Sequence, residues 1–241
     1  TSNSSTWQVA DINSGGGSWP GEYMEILIGD TLYFSASDGS SGHELWAHDT
    51  SNSSTWQVAE LNNGGGSRPG NYMEILVGDT LYFSADDGSS GHELWAHDTS
   101  NSSTWLAADI NSGAGSSRPG QYMEILVGDT LYFDAYTSGG NELWAHDTST
   151  SSTWLVADIY SGGGSYPGEY MGILIGDTLY FDAYTSGGNK LWAHDTSNSS
   201  TWQVADINSG GNSNPGYYMG ILVGDTLYFS ANDGSGTELW A

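Results

Sequence analysis

A chain of 241 residues with a formal net charge of −26, from 29 Asp+Glu against 3 Lys+Arg, offers no basic footprint for nucleic acid or an anionic membrane. Its 37% hydrophobic content, with 11 Trp and 15 Tyr, is too apolar for a disordered acidic chain, and the absence of Cys removes any disulfide framework or thiolate metal site. No stretch approaches 18 apolar residues and no signal peptide is read, so the expectation is a soluble protein without membrane insertion, whole or trimmed from a secreted one.

The chain opens on a polar Thr-Ser-Asn-Ser-Ser stretch followed by Thr6 to Ile12 (TWQVADI), which reads as a strand. A Gly-rich loop ending in Pro20-Gly21 leads to the apolar run Met24 to Ile28, then Gly29-Asp30, then Thr31 to Ala36 (TLYFSA). A Gly-X pair between two such runs predicts a two-residue type II′ hairpin with the glycine at positive φ. Its Asp recurs at Asp79, Asp129, Asp177 and Asp225, and turn chemistry accounts for all of them. Next come a Ser-Asp-Gly loop, the strand His43 to Asp49 (HELWAHD), a second TSNSS hairpin and Thr55 to Leu61 (TWQVAEL). From there the pattern repeats, with units starting at Thr50, Thr99, Thr148 and Thr196 and one proline, one methionine and one phenylalanine in each. The matching Trp7, Trp56, Trp105, Trp154 and Trp202 are 49, 49, 49 and 48 residues apart.

Four short antiparallel strands per unit and no helical period define an all-β chain. Runs such as Leu32-Tyr33-Phe34 put large side chains on both faces, so both faces of each sheet must be covered. That is the situation of a propeller blade between two neighbours, and a repeat of 48 or 49 residues falls among known blades of roughly 40–50. The expected fold is a five-bladed β-propeller, a single domain over 1-241, with repeats 1-49, 50-98, 99-147, 148-195 and 196-241. An open solenoid is the alternative, but it usually needs atypical capping repeats, and none is seen. The chain starts with a fourth strand and ends in a third, Glu238 to Ala241. Pairing Thr6–Ile12 beside Glu238–Ala241 would close the ring and remove two exposed edges.

Thr80 to Asp98 (TLYFSADDGSSGHELWAHD), preceded by a Gly-Asp turn and followed by a strand ending A-A-D-I (V-A-D-I in three other units), resembles the ELWxxDGT repeat of long extracellular or surface proteins of bacteria and archaea, sometimes labelled hyalin-like. The resemblance covers the whole chain, with ELW at Glu44, Glu93, Glu142 and Glu238, Lys190 in the fourth copy, and the family's DGT replaced by DTS. It implies a propeller-type fold at a cell surface or outside the cell, and it carries no catalytic residues.

Several sets invite chemistry, each beside a plainer reading. Asp11 with Asn13, Asp109 with Asn111, and Asp206 with Asn208 open DINSG loops that match in outline the start of a calcium loop, although no Glu closes it; the plainer reading is an Asx-rich turn. Asp38, Asp87 and Asp233 stand in the loop after the second strand, which two units replace with Tyr136 to Gly140 and Tyr184 to Gly188. These carboxylates and the tyrosines Tyr136 and Tyr184 are candidate ligand contacts, since loops on a rigid scaffold commonly carry function. Trp19 precedes Pro20 where the other units have Arg68, Arg118, Tyr166 and Asn214, and an exposed ring there would stack on a sugar. His48, His97, His146 and His194 recur once per unit without metal spacing, and hydrogen-bonded histidines are expected. Asn3, Asn52, Asn101 and Asn198 form Asn-Ser-Ser sequons on a hairpin.

An enzyme needs one asymmetric set of nucleophile, acid/base and orienting group, whereas nearly every polar residue here exists in equivalent copies. Catalysis is therefore not expected, and no cofactor is required, with calcium the one candidate. Two readings stand: a structural or protein-interaction scaffold produced by recent blade amplification, expected to be a monomer, or a lectin with up to five equivalent glycan sites whose avidity comes from multivalency.

Overall fold

The computed structural model describes residues Ser5 to Ala241; Asn3 lies outside the described residues. The strands are β1 (Glu25–Ile28), β2 (Thr31–Ser37), β3 (His43–Asp49), β4 (Ser54–Ala59), β5 (Glu74–Val77), β6 (Thr80–Asp86), β7 (His92–Asp98), β8 (Ser103–Ala108), β9 (Glu124–Val127) and β10 (Thr130–Thr137). They continue as β11 (Gly140–Asp147), β12 (Ser152–Ala157), β13 (Gly172–Ile175), β14 (Thr178–Thr185), β15 (Gly188–Asp195), β16 (Ser200–Ala205), β17 (Gly220–Val223), β18 (Thr226–Asn232) and β19 (Thr237–Trp240). They form antiparallel meanders β1–β4, β5–β8, β9–β12 and β13–β16, and a three-stranded sheet β17–β19. The chain divides into two compact units. The first holds the described residues up to Asp109 with Gly113–Ser116; the second holds Ile110–Ser112 and Ser117–Ala241.

Local chemistry explains each meander. Ile28 pairs with Thr31 across a turn in which Gly29 takes φ +60°, as the Gly-Asp pair predicts. The Asp30 carbonyl then accepts the Thr50 amide and hydroxyl at 2.8 and 2.9 Å, tying this turn to the next hairpin. In that hairpin Asp49 accepts the Ser51 N–H at 2.8 Å, and Asn52 donates its amide to Asp49 at 2.6 Å. The sequon side chain is thus part of the turn.

Within each unit the sheets pack face to face through alternating residues of the TLYFSA strand. In the first unit Met24, Tyr33, Leu45 and Ala47 meet Leu81, Phe83 and Ala85 of the following sheet. In the second, Met123, Tyr132, Leu143 and Ala145 meet Leu179, Phe181 and Ala183, and Met171 and Leu191 meet Phe229 and Ala231. Leu, Phe and Ala of one strand thus face the preceding sheet while Tyr faces the following one, the two-sided burial that the apolar runs require. Glycine in the Pro-Gly turn makes the approach close at Gly70, Gly168 and Gly216: a Cβ on Gly168, at φ +79°, would lie 2.6 Å from the Cβ of Met123. The histidines fit the same scheme, with Nδ1 of His97, His146 and His194 within 2.7–2.8 Å of the hydroxyls of Thr104, Thr153 and Thr201.

The expected pairing of the two ends is not seen among the described residues. Residues 5–12 carry no strand, and β19 is paired with β18 alone. The last sheet keeps an open face as a result: Met219 is 40% exposed and Leu239 67%, whereas Met24, Met73, Met123, Met171 and the leucines Leu45, Leu94, Leu143 and Leu191 are buried. Trp7 in the N-terminal segment is 71% exposed.

Candidate functional site: the aromatic loop mouths

At one end of each sheet, the loop that ends in Pro-Gly meets the end of the second strand. The contact is a repeated backbone hydrogen bond: Ser37 N–H to the Ser18 carbonyl (2.9 Å), Asp86 to Ser67 (2.9 Å), Tyr136 to Ser117 (2.7 Å), Tyr184 to Ser165 (2.7 Å) and Asn232 to Ser213 (2.8 Å). One residue later stands the variable position before proline, and all its occupants are left-handed: Trp19 (φ 42°), Arg68 (48°), Arg118 (48°), Tyr166 (48°) and Asn214 (44°). Glycine would adopt this φ without steric cost, yet no copy has it; a side chain is kept at each mouth against the backbone preference.

Two kinds of mouth are built behind this position. Where the loop reads Ser-Asp-Gly, Asp-Asp-Gly or Asn-Asp-Gly, a serine at the second strand caps two backbone amides. Ser35 accepts from Tyr23 and Met24 (2.9 and 3.4 Å), Ser84 from Tyr72 and Met73 (2.9 and 3.3 Å), and Ser230 from Tyr218 and Met219 (3.0 and 3.3 Å). In the first unit the rest of such a mouth fills itself. Trp19 stacks on His43 at 6.0 Å, Tyr23 meets the same ring edge-on at 5.0 Å, and Glu22 lies 3.1 Å from His43 Nε2. Burial lowers the His43 pKa, against the opposing pull of Glu22.

In the sheets β9–β12 and β13–β16 an aspartate replaces that serine. Asp134 accepts the amides of Tyr122 and Met123 (2.8 and 2.9 Å) on one oxygen and the Asn141 side-chain amide (2.8 Å) on the other; Asp182 does the same with Tyr170, Met171 and Asn189. Both carboxyls are wholly buried, and burial pushes them up to about 6 despite the three N–H donors. The carbonyl oxygens of Asn141 and Asn189 are buried with no hydrogen-bond partner among the described residues.

In front of these buried groups runs a band of tyrosines. Tyr166 is at its centre, edge-on to Tyr122 (6.1 Å), Tyr136 (5.9 Å) and Tyr184 (6.1 Å). The Tyr184 and Tyr170 hydroxyls are 3.2 Å apart, and Tyr170 continues to Tyr217 (4.8 Å) and Tyr218 (4.7 Å further on). Arg118 lies over the Tyr136 ring at 5.8 Å. Burial raises Tyr136 out of its ordinary range, and the hydroxyl contact with Tyr184 does so for Tyr170.

The other candidates are committed to their own loops. Asp38 caps the Ser40 and Ser41 amides at 2.8 and 3.0 Å, and those amides hold it down at about 2; Asp87 and Asp233 cap Ser89 and Ser235 in the same way. Asn13 bridges Gly15 and Gly17, and Asn208 bridges Gly210 and Asn212, as Asx turns. Asp206 binds the Lys190 ammonium at 2.5 Å, which also donates to the carbonyls of Asn208 and Gly211 (the latter at 2.9 Å). Asp11 and Asp109 are exposed, and Asn111 is half-buried. Among the described residues no three His, Asp or Glu side chains converge to hold a metal ion.

Of the expected contacts, the structure brings Tyr136 and Tyr184 together through Tyr166 and sets Trp19 in a separate mouth. Tyr166 stands at the expected variable position before proline, whereas Tyr122, Tyr170, Asp134 and Asn141 were not among the expected contacts. The signal was a coupled change: FSA…H becomes FDAY…N in two units, altering three positions together.

No family model matches the sequence, and no curated protein does. Among solved structures, a puromycin hydrolase (S511A mutant, in complex with PGG) matches with a TM-score of 0.51 at 10% identity, over 84% of this chain and 32% of that one. A prolyl endopeptidase, one of two analysed for inter-domain dynamics (TM-score 0.49, 14% identity, 73% of this chain and 24% of that one), and TolB from Acinetobacter baumannii (0.42, 15%, 82% and 45%) are also similar. The chain spans about a third of the puromycin hydrolase it matches. At such identity the likeness speaks for the fold alone: an all-β, repeat-built architecture of the β-propeller type.

Proposed function

We propose that this chain is a non-catalytic β-propeller scaffold whose five blades close into a ring and present their loop mouths for recognition outside the cell or at its surface. The row of left-handed residues before each proline carries the recognition reading. A strained backbone is retained at every mouth while the side chain on it changes from Trp to Arg, Tyr and Asn. A scaffold that keeps its frame and varies one presented residue is built for contact, and the serine and aspartate groups behind it, each recurring in more than one sheet and spent on backbone amides, offer no nucleophile with its acid/base and orienting group. The ELWxxDGT-like repeat supports the surface location.

Closure rests on the three-stranded sheet β17–β19. Ser5–Ala10 (STWQVA) is identical to β4 and β16, the fourth strands of other sheets, and among the described residues the outer edge of β19 carries no partner strand. Where Glu44 accepts the amides of Leu61 and Ser67 (3.0 and 2.9 Å), and Glu142 those of Ile159 and Ser165, the corresponding Glu238 would take Ile12 and Ser18. Docking would cover Met219 and Leu239, worth about 1.5–3 kcal/mol for each side chain fully buried. By the β3–β4 register, which sets Ala47 against Trp56, Ala241 falls opposite Trp7. In this cysteine-free chain the pair Trp7→Cys and Ala241→Cys is expected to oxidise to an intramolecular disulfide in dilute solution, read by mass and by reduced gel mobility. Cross-links formed only between molecules, or none, would refute the closed ring.

Glycan recognition is the second reading, and the tyrosine band of the second unit is the observation that favours it.

A further inference from the structure

We infer that the tyrosine cluster centred on Tyr166 binds neutral saccharides, an inference that rests on the recognition reading but not on ring closure, since every group belongs to the second unit. Four rings, Tyr122, Tyr136, Tyr166 and Tyr184, converge from two adjacent sheets and the loop between them, all half-buried. Sites of this kind combine aromatic walls with a few placed polar groups. Here the walls end in hydroxyls, which donate and accept, as sugar hydroxyls do. Behind them the Asn141 and Asn189 carbonyl oxygens are buried acceptors still without a donor, and each amide is pinned from its other end by a buried aspartate.

These features select among ligands. Walls that end in hydroxyls suit a ligand whose own hydroxyls both donate and accept, as those of a sugar do. Arg118 is the one cation in the band, on a chain of net charge −26, so an acidic sugar would meet repulsion and a neutral one would not. The serine-type mouth of Trp19 differs in its groups: one tyrosine, Tyr23, and a histidine paired with Glu22 stand there in place of the tyrosine band and its aspartate-held asparagine. Binding is therefore confined to the tyrosine mouths rather than spread over five equivalent sites, and it needs no metal ion.

Saturation-transfer NMR with methyl glycosides of galactose, glucose, mannose and N-acetylglucosamine, with sialyllactose and an arginine-rich peptide as comparators, tests this on the full chain. Neutral glycosides are expected to give signal that persists in EDTA. Tyr166→Asn should weaken it at least tenfold; asparagine already occupies the equivalent left-handed position at Asn214, so the backbone tolerates it. Trp56→Gln, at an exposed ring on β4 outside the mouths, should leave it unchanged. Tyr136→Phe with Tyr184→Phe keeps the rings, removes two hydroxyls and should weaken binding several-fold, which holds the test open if Tyr166→Asn unfolds. No signal, signal that survives these tyrosine changes, or signal from sialyllactose or the peptide alone would overturn the inference. The cysteine cross-link above fails or succeeds independently.

Discussion

The serine mouths and the aspartate mouths solve one problem with different chemistry. Each must satisfy two backbone amides where the chain enters a sheet. In the sheet β5–β8 the Ser84 hydroxyl does so with one good and one long hydrogen bond, neutral at any pH. In β9–β12 Asp134 does it with two short bonds and a second oxygen to spare, which fixes Asn141. The carboxylate gives tighter geometry and orients a side chain toward the mouth, but a charge-bearing group is then buried, and its raised pKa records the cost. That extra oxygen lets two blades of the second unit hold an organised polar backing behind their tyrosines, whereas the His43 mouth of the first collapses onto its own rings.

The sharpest way to break this comparison is to delete the acceptor on each side. Asp134→Ala strands two backbone amides and the Asn141 amide, at about 1–3 kcal/mol for each buried unsatisfied group, so a loss of about 3–5 kcal/mol is expected. Ser84→Ala strands two, one of them weakly bonded, and should cost about 1–2 kcal/mol. Urea unfolding curves compare the two; equal losses would mean that the second carboxylate oxygen contributes nothing.

Sheet contacts supply the next largest effect. Gly168→Ala sets a Cβ 2.6 Å from that of Met123 at φ +79° and should cost about 1–3 kcal/mol for overpacking beyond the left-handed strain. Gly21, at φ +78°, meets no such methionine, only the Glu25 carboxylate at 3.0 Å. Gly21→Ala should lose only the strain of about 1–2 kcal/mol if the first sheet's face stays open, and as much as Gly168→Ala if ring closure brings Met219 against it. The difference in thermal midpoints reads it directly.

Titration separates the mouths more gently. Asp134 and Asp182 sit near 6 when folded against 3.8 when unfolded, so the stability they contribute is full below about pH 4 and is lost as the pH rises through about 6. His97, His146 and His194 work in the opposite sense: burial lowers them from 6.5, so their contribution is full above 6.5 and lost on acidification. The double variant Asp134→Asn and Asp182→Asn should lose less stability than wild type between pH 4 and pH 8 in parallel denaturation curves. Parallel profiles for the two proteins would remove the buried charge from the account.

The smallest change expected is Lys190→Glu, which restores the residue of the other repeats. The ammonium leaves Asp206, but the Ile207 and Ser213 amides stand where Leu61 and Ser67 serve Glu44, so the net shift should stay within about 1 kcal/mol. Lys190→Met, with no carboxylate to take those amides, should cost more in the same assay.

Repeat spacing, the Gly-Asp turns and two-faced apolar runs determined the strand positions from Met24 onward to within a residue or two, though not Thr6–Ile12, because turn chemistry and alternation act over a few neighbours along the chain. The same local logic identified the Asx loops and the position before proline as variable. What Tyr166 touches, and that Asp134 is buried beneath three donors, depended on which faces of successive sheets come together, a matter of packing between residues far apart in sequence. Whether Ser5–Ala10 joins β19 belongs to that second class: the hexapeptide is written as a fourth strand, but only the tertiary arrangement decides which edge it meets.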